Sequence, residues 1–118
     1  MTVETAHAGL AAGRWTALTL SEQLANVGSE VGRAMRAKAQ GNEQRSVAAL
    51  GRALELFDLT LADDRWHGRR TEICRARELV CDLLVGDNVH RSTEESLDAY
   101  FLAFARAARA TSTSSSRT

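Results

Sequence analysis

The chain has 118 residues, a formal net charge of zero, 44% hydrophobic and 25% charged residues, and no proline. This size fits one domain around one core and is too small for an elaborate two-domain enzyme. Zero net charge removes the sequence-independent attraction behind most nonspecific nucleic-acid binding, so a polyanionic partner would have to be met by a local patch.

Residues 1–14 are rich in Ala and Gly without a clear period, and they are expected to form a flexible segment until Trp15 provides something to bury. Thr19 with Glu22 spells a capping box, and Gly41 followed by Asn42 spells a helix stop and a new start. The helix between them carries an apolar stripe of Leu20, Leu24, Val27, Val31, Ala34 and Met35. Beside it runs a ribbon of small residues, Ser21, Ala25, Gly28 and Gly32. Two glycines inside a helix cost about 1 kcal/mol each relative to alanine, so Gly28 and Gly32 predict close packing. The short Gly41–Asn42 loop makes the second helix the expected neighbour.

The stretch 48–63 is the densest apolar segment, and the chain is expected to be organised around it. At 100° per residue, Val47, Leu50, Leu54, Phe57 and Leu61 fall on one line, widened by Ala49, Ala53, Leu56 and Thr60. Arg52, Glu55 and Asp63 lie on the opposite, solvent arc, while Asp58 sits at the border of the stripe, where a carboxylate needs a donor. The segment DDRWHGRR then breaks the period, with Gly68 as a turn, and a third helix is expected from Arg70 or Thr71 to Gly86. Its core face is Ile73, Ala76, Val80, Leu83 and Leu84, with Glu72 inside the apolar arc and Arg77 at its edge. Ser92 with Glu95 spells a capping box for a fourth helix bearing Leu97, Tyr100, Phe101, Phe104 and Ala108. Residues 111–118 are a low-complexity polar run, expected to be a disordered tail. The prediction is an all-α antiparallel bundle of about four helices over residues 15–110.

Cys74 and Cys81 lie seven positions apart on one helix, about 10 Å by helical rise, beyond disulfide reach. With three scattered histidines they spell no zinc site, and no cofactor motif is present. They read as two half-buried thiols in a reducing compartment. No stretch is apolar enough to span a membrane and no secretion signal stands at the N-terminus, so the expected location is the cytoplasm.

Two constellations stand out. Arg65, Trp66, His67, Arg69 and Arg70, followed by Arg75 and Arg77, form a basic and aromatic cluster at a loop and helix start. Such a group can bind phosphate or stack on a base, or its arginines can pair with Asp63, Asp64 or Glu78 and hold the connection together. The second is Glu22, Glu30, Asp58, Glu72, Arg77 and Asp82, spread over three helices that should pack together. Carboxylates on facing helices can hold two metals, but such sites add a Glu-x-x-His pair that is missing here. Interhelical ion pairs are therefore expected rather than a metal centre.

Trp15, EQLANVGSEVGRA (22–34), GN (41–42), RALELFDLTLAD (52–63), EICRARELVCD (72–82) and YFLAFARAAR (100–109) together resemble a family of small uncharacterised bacterial all-helical proteins. The first two helices, with their Gly-Asn turn, also resemble the hairpin of HEPN domains, which include RNases and toxin–antitoxin components. The HEPN nuclease motif places a His four to six residues after an Arg. Here His67 follows Arg65 by two, and His7 and His90 have no Arg at that distance, so the resemblance implies a non-catalytic member. No nucleophile elbow, phosphate-binding Gly loop or metal-ligand spacing supplies another catalytic site. The sequence thus reads as a non-catalytic helical interaction module with a protein partner, or a homodimer through the apolar excess of the second and fourth helices. The alternative is a HEPN-like nucleic-acid-associated protein or toxin–antitoxin component contacting RNA through Arg65–Arg77.

Overall fold

A computed structural model describes the backbone of residues 13–117 and the side chains of residues 13–110. Most of the expected flexible segment 1–14 therefore lies outside the described residues. Among the described residues, helical residues 13–15 precede four longer α-helices, α1 (Leu20–Ala39), α2 (Glu43–Leu61), α3 (Arg70–Leu84) and α4 (Glu94–Arg117), joined by short connections, with a 3-10 helix at Asp64–Arg69. Among the described residues every regular element is helical.

The caps explain the boundaries. The Thr19 hydroxyl accepts from Glu22 N while the Glu22 carboxylate accepts from Thr19 N, closing the predicted capping box. Gly41, at φ +76°, makes the left-handed turn that ends α1, and the Asn42 side chain then caps α2 through Arg45 N. At α4 the cap is displaced by one residue from the expected Ser92–Glu95 pair. Thr93 and Ser96 bond reciprocally, Ser96 N to Thr93 Oγ1 and Thr93 N to Ser96 Oγ, so a serine takes the place of the expected glutamate. The α4 backbone continues as a helix through 111–117, the stretch expected as a tail.

Helix directions follow from the contacts. α2 returns antiparallel along α1, tied near the turn by Ser46 Oγ donating to Ala34 O at 2.9 Å. Arg70 donates to Leu61 O and Arg77 lies beside Asp58, so α3 runs antiparallel to α2, and Lys38 reaches Leu84 O at its far end. Phe101 of α4 lies against Gly28, whereas Glu94 and Asp98 lie near Gly32 and Arg36, so α4 runs antiparallel to α1. The result is an up-down-up-down bundle.

The hub is α1 rather than α2. α1 packs extensively on both α2 and α4 and also touches α3, whereas α3 is attached mainly to α2. The reason lies in the small-residue ribbon. A Cβ placed on Gly28 would lie 2.5 Å from the Cβ of Phe101, so it is α4, not α2, that makes the close approach. At Gly32 a Cβ would meet only the Arg36 guanidinium, at 3.1 Å. The core joins Leu24, Val27 and Val31 to Ala53, Phe57, Ile73 and Val80, all essentially inaccessible. A buried Phe such as Phe57 contributes about 1.5–3 kcal/mol through area removed from water. Of the large apolar residues of α2 and α4, Leu50, Phe57, Leu97 and Phe101 are buried, Leu54, Leu56, Leu59, Leu61, Tyr100 and Phe104 are partly buried against the core, and Val47 and Leu102 are exposed.

Candidate functional site

At the start of the basic cluster after α2, Arg65 and Trp66 join a hydrogen-bonded site around Asp63. This residue lies just past the α2 C-cap, in an extended conformation (φ −77°, ψ 113°), and its carboxylate caps the 3-10 helix by accepting from Arg65 N. Asp63 is 6% exposed, not on a solvent arc as expected. The helical angle used to place it no longer applies beyond Leu61.

Four hydrogen bonds converge on that carboxylate. Arg65 supplies three, from N (3.1 Å), Nε (3.0 Å) and Nη2 (2.7 Å), and Gln23 Nε2 supplies the fourth at 3.1 Å. The Arg65 hydrogen bonds hold the Asp63 carboxyl down to about 2 against the opposing effect of burial, with Gln23 adding to the depression. Arg65 also donates to Leu18 O at 2.7 Å and lies over the Trp66 ring, 4.4 Å from its centroid. Gln23, fully buried, donates to Trp15 O and accepts from Trp66 Nε1. The Trp15 indole in turn donates to Thr60 Oγ1, and the Thr60 hydroxyl to Leu56 O. This polar clasp closes the open end of the α1–α2 hairpin. Its members at Gln23 and Thr60 are polar residues in otherwise apolar stripes, the one sequence signal that could have revealed it.

The other cations of the segment are engaged as well. Arg69 pairs with Glu72 through two bonds of 2.9 and 3.1 Å. Arg70 donates to Leu61 O, shares a 2.6 Å contact with His67 Nδ1 and reaches Asp64 at 3.5 Å. Arg65, Arg69 and Arg70 thus each have partners within the chain, while their side chains stay partly exposed.

The expected interhelical polar network is only partly assembled. Glu30, with its side chain 13% exposed, joins α1 to α2 through Arg52 at 3.0 Å and also holds Arg33 at 3.1 Å. Arg77 Nε stands 3.3 Å from Asp58 Oδ1 across α3 and α2, but the angle makes no hydrogen bond and this buried Nε has no other partner. Asp58 is exposed rather than interior, since its arc faces away from α1. Glu22 is occupied by its own capping box. Glu72 is exposed on the α3 surface, with its carboxyl lowered chiefly by the hydrogen bond from Arg69. Asp82 folds the loop after α3 by accepting from Val89 N and His90 N, and the His90 bond is the main cause of its lowered carboxyl. Among the described residues no group of three or more His, Cys, Asp or Glu converges as a metal site. Cys74 is exposed rather than half-buried, while Cys81 is partly covered and burial pushes its thiol up.

A second group of cations lies between α1 and α2. A groove of about 470 Å³ runs between α1 and α2 beside the Gly41 turn, with a floor of Ala37, Ala48 and Ala49 and arginines 33, 36, 45 and 52 on its walls. Glu30 balances part of this charge through Arg33 and Arg52. Arg36 and Arg45 are exposed and make no side-chain hydrogen bond or ion pair among the described residues. Sequence reasoning missed the groove because its arginines come from both sides of a turn and never form a run. Against α3 and α4 lies a separate hollow of about 330 Å³ that includes Tyr100. The Tyr100 hydroxyl is buried without a hydrogen-bond partner, a condition that costs about 1–3 kcal/mol.

Among the described residues no helix is long and apolar enough to cross a membrane. Comparison with protein families, curated proteins and solved structures finds no match to this chain.

Proposed function

We propose that this chain is a non-catalytic helical interaction module that receives an acidic protein segment in the α1–α2 groove. The observation that carries the reading is that four arginines, Arg33, Arg36, Arg45 and Arg52, line one groove with three alanines, and that Arg36, whose guanidinium rests beside Gly32, and Arg45 make no ion pair among the described residues. Alanines let a partner backbone or short side chain come close, and guanidiniums recognise carboxylates through two parallel bonds. No aromatic side chain lines the groove, so it has no stacking platform for bases. That favours a carboxylate-bearing partner over the alternative of HEPN-like RNA association, whose expected contacts at Arg65, Arg69 and Arg70 are engaged within the chain.

The test is a low-salt titration of a fluorescent Glu-rich peptide and of a short single-stranded RNA. The peptide is expected to bind and to weaken as salt shortens the screening length to about 8 Å near physiological strength. The double variant Arg36→Glu, Arg45→Glu should lose binding while its melting temperature stays close to wild type. Equal peptide binding by wild type and variant rejects the groove, and tighter binding of RNA than of peptide favours the nucleic-acid reading.

A further inference from the structure

The seam between α3 and α4 is the thinly held one in this bundle, because α4 packs chiefly on α1. The hollow at this seam has an apolar floor of Ala76, Leu79 and Leu97. Arg75 stands at its rim, exposed and with no ion pair or side-chain hydrogen bond among the described residues. Glu72, on the same rim, is already held by both bonds from Arg69. The orphan hydroxyl of Tyr100 completes the set. Its ring is clamped edge-on between Phe101 and Phe104, at centroid distances of 5.1 and 5.2 Å, which hinders it from swinging out to water. Burial, followed by the nearby Glu72 charge, pushes the Tyr100 hydroxyl above its ordinary value, so at neutral pH it is protonated and can donate.

We infer that this hollow is a binding site for a small monocarboxylate with an apolar body. The body packs on Ala76, Leu79 and Leu97, the carboxylate accepts from the Tyr100 hydroxyl, and the Arg75 guanidinium balances its charge. A volume of about 330 Å³ sets the size, at the small end of the range for ligand pockets. A primary amine is repelled by the Arg75 charge, and an alcohol gains nothing from it. The Tyr100 hydroxyl is buried, so the carboxylate reaches it as α3 and α4 part at this thinly held seam.

The experiment is an amide NMR titration of the full chain with octanoate, using octanol and octylamine as controls. Octanoate is expected to shift resonances around Leu79, Ser96, Leu97 and Tyr100 and to bind at least about tenfold more tightly than octanol, the worth of one charge-assisted contact. Tyr100→Phe should weaken octanoate by about tenfold and at the same time raise the melting temperature of the free protein, because it deletes an unsatisfied hydroxyl. Arg75→Gln should weaken octanoate and leave octanol unchanged. Octanol binding as tightly as octanoate, or shifts confined to other faces, overturns the assignment. A fall in melting temperature for Tyr100→Phe also overturns it, since it means that the hydroxyl is already bonded in the free protein. The Arg36→Glu, Arg45→Glu variant serves as the separate control and should bind octanoate like wild type.

Discussion

Replacing Asp63 by Asn is the sharpest probe of the clasp. Each carboxylate oxygen accepts from two donors, Oδ1 from Arg65 N and Nε, and Oδ2 from Arg65 Nη2 and Gln23 Nε2. An amide nitrogen at either place would face two donors, and the charge that Arg65 pairs with would be gone. The carboxyl drops from 3.8 to about 2 on folding, and at 1.36 kcal/mol per unit this corresponds to about 2 kcal/mol of stability at neutral pH. That is an upper value, because the Arg65 side chain is 42% exposed and solvent screens the pair. The folded value lies below the unfolded one, so the contribution is complete above about pH 4 and is lost as pH falls through about 2. Thermal melts of wild type and Asp63→Asn across this range should differ by up to roughly 8 °C at pH 7 and converge towards pH 2. Glu72 and Asp82 also have lowered carboxyls, but they are common to both proteins and cancel in the difference. Curves that stay parallel below pH 4, or coincide at pH 7, would refute the clasp.

Other substitutions test separate parts of the molecule. Gly28→Ala should destabilise by about 1–3 kcal/mol, since the new methyl meets the Phe101 Cβ at 2.5 Å, whereas Gly32→Ala should stabilise by up to about 1 kcal/mol because only the flexible end of Arg36 is near. Chemical denaturation decides both, and equal effects at the two sites would remove the case for close approach by α4. Arg65→Gln should lower the melting temperature clearly, while Arg69→Gln, which breaks a surface pair with Glu72, should change stability by no more than about 1 kcal/mol; the reverse order would contradict the inward orientation of Arg65. A thiol reagent at mildly alkaline pH should modify Cys74 quickly and Cys81 slowly, with Cys74→Ser abolishing the fast phase; two equally fast thiols would contradict the partial burial of Cys81.

Helix number, the α1 stripe, the Thr19 box and the Gly41–Asn42 turn were legible because each depends on residues within a turn or two of one another. The α4 cap was misplaced by one residue because Ser92 and Thr93 both offer hydroxyls, and only the backbone decides between them. The hub was misread for a different reason. Apolar density marks how much surface a helix hides, but Gly28 decides how near a neighbour can come, and its neighbour is 73 positions away in the chain, at Phe101. Asp63 shows the limit of periodicity, which orients a residue only while the helix lasts. The groove arginines are individually ordinary, and only the antiparallel return of α2 gathers them.

The α1–α2 hairpin also carries a folding order in its cross-links. Ser46 and Ala34, next to the turn, are separated by 12 residues, Arg52 and Glu30 by 22, and the clasp pairs Gln23–Asp63, Trp15–Thr60 and Arg65–Leu18 by 40, 45 and 47. Loop closure is cheapest at the turn and grows with separation, so the hairpin zips from Gly41 outward and the clasp closes last. Its long-range bonds are then absent from the folding transition state, whereas the Arg65–Asp63 bonds, two residues apart, need no loop closure. Trp15→Phe, which deletes the long-range bond to Thr60, should speed unfolding and leave the folding rate nearly unchanged, whereas Ser46→Ala should slow folding. Stopped-flow measurements in urea separate the two limbs, and a folding rate reduced as strongly by Trp15→Phe as by Ser46→Ala would mean that the clasp forms early. If it closes last, the clasp works as a latch on the native state, governing how long the folded chain persists rather than how fast it is reached.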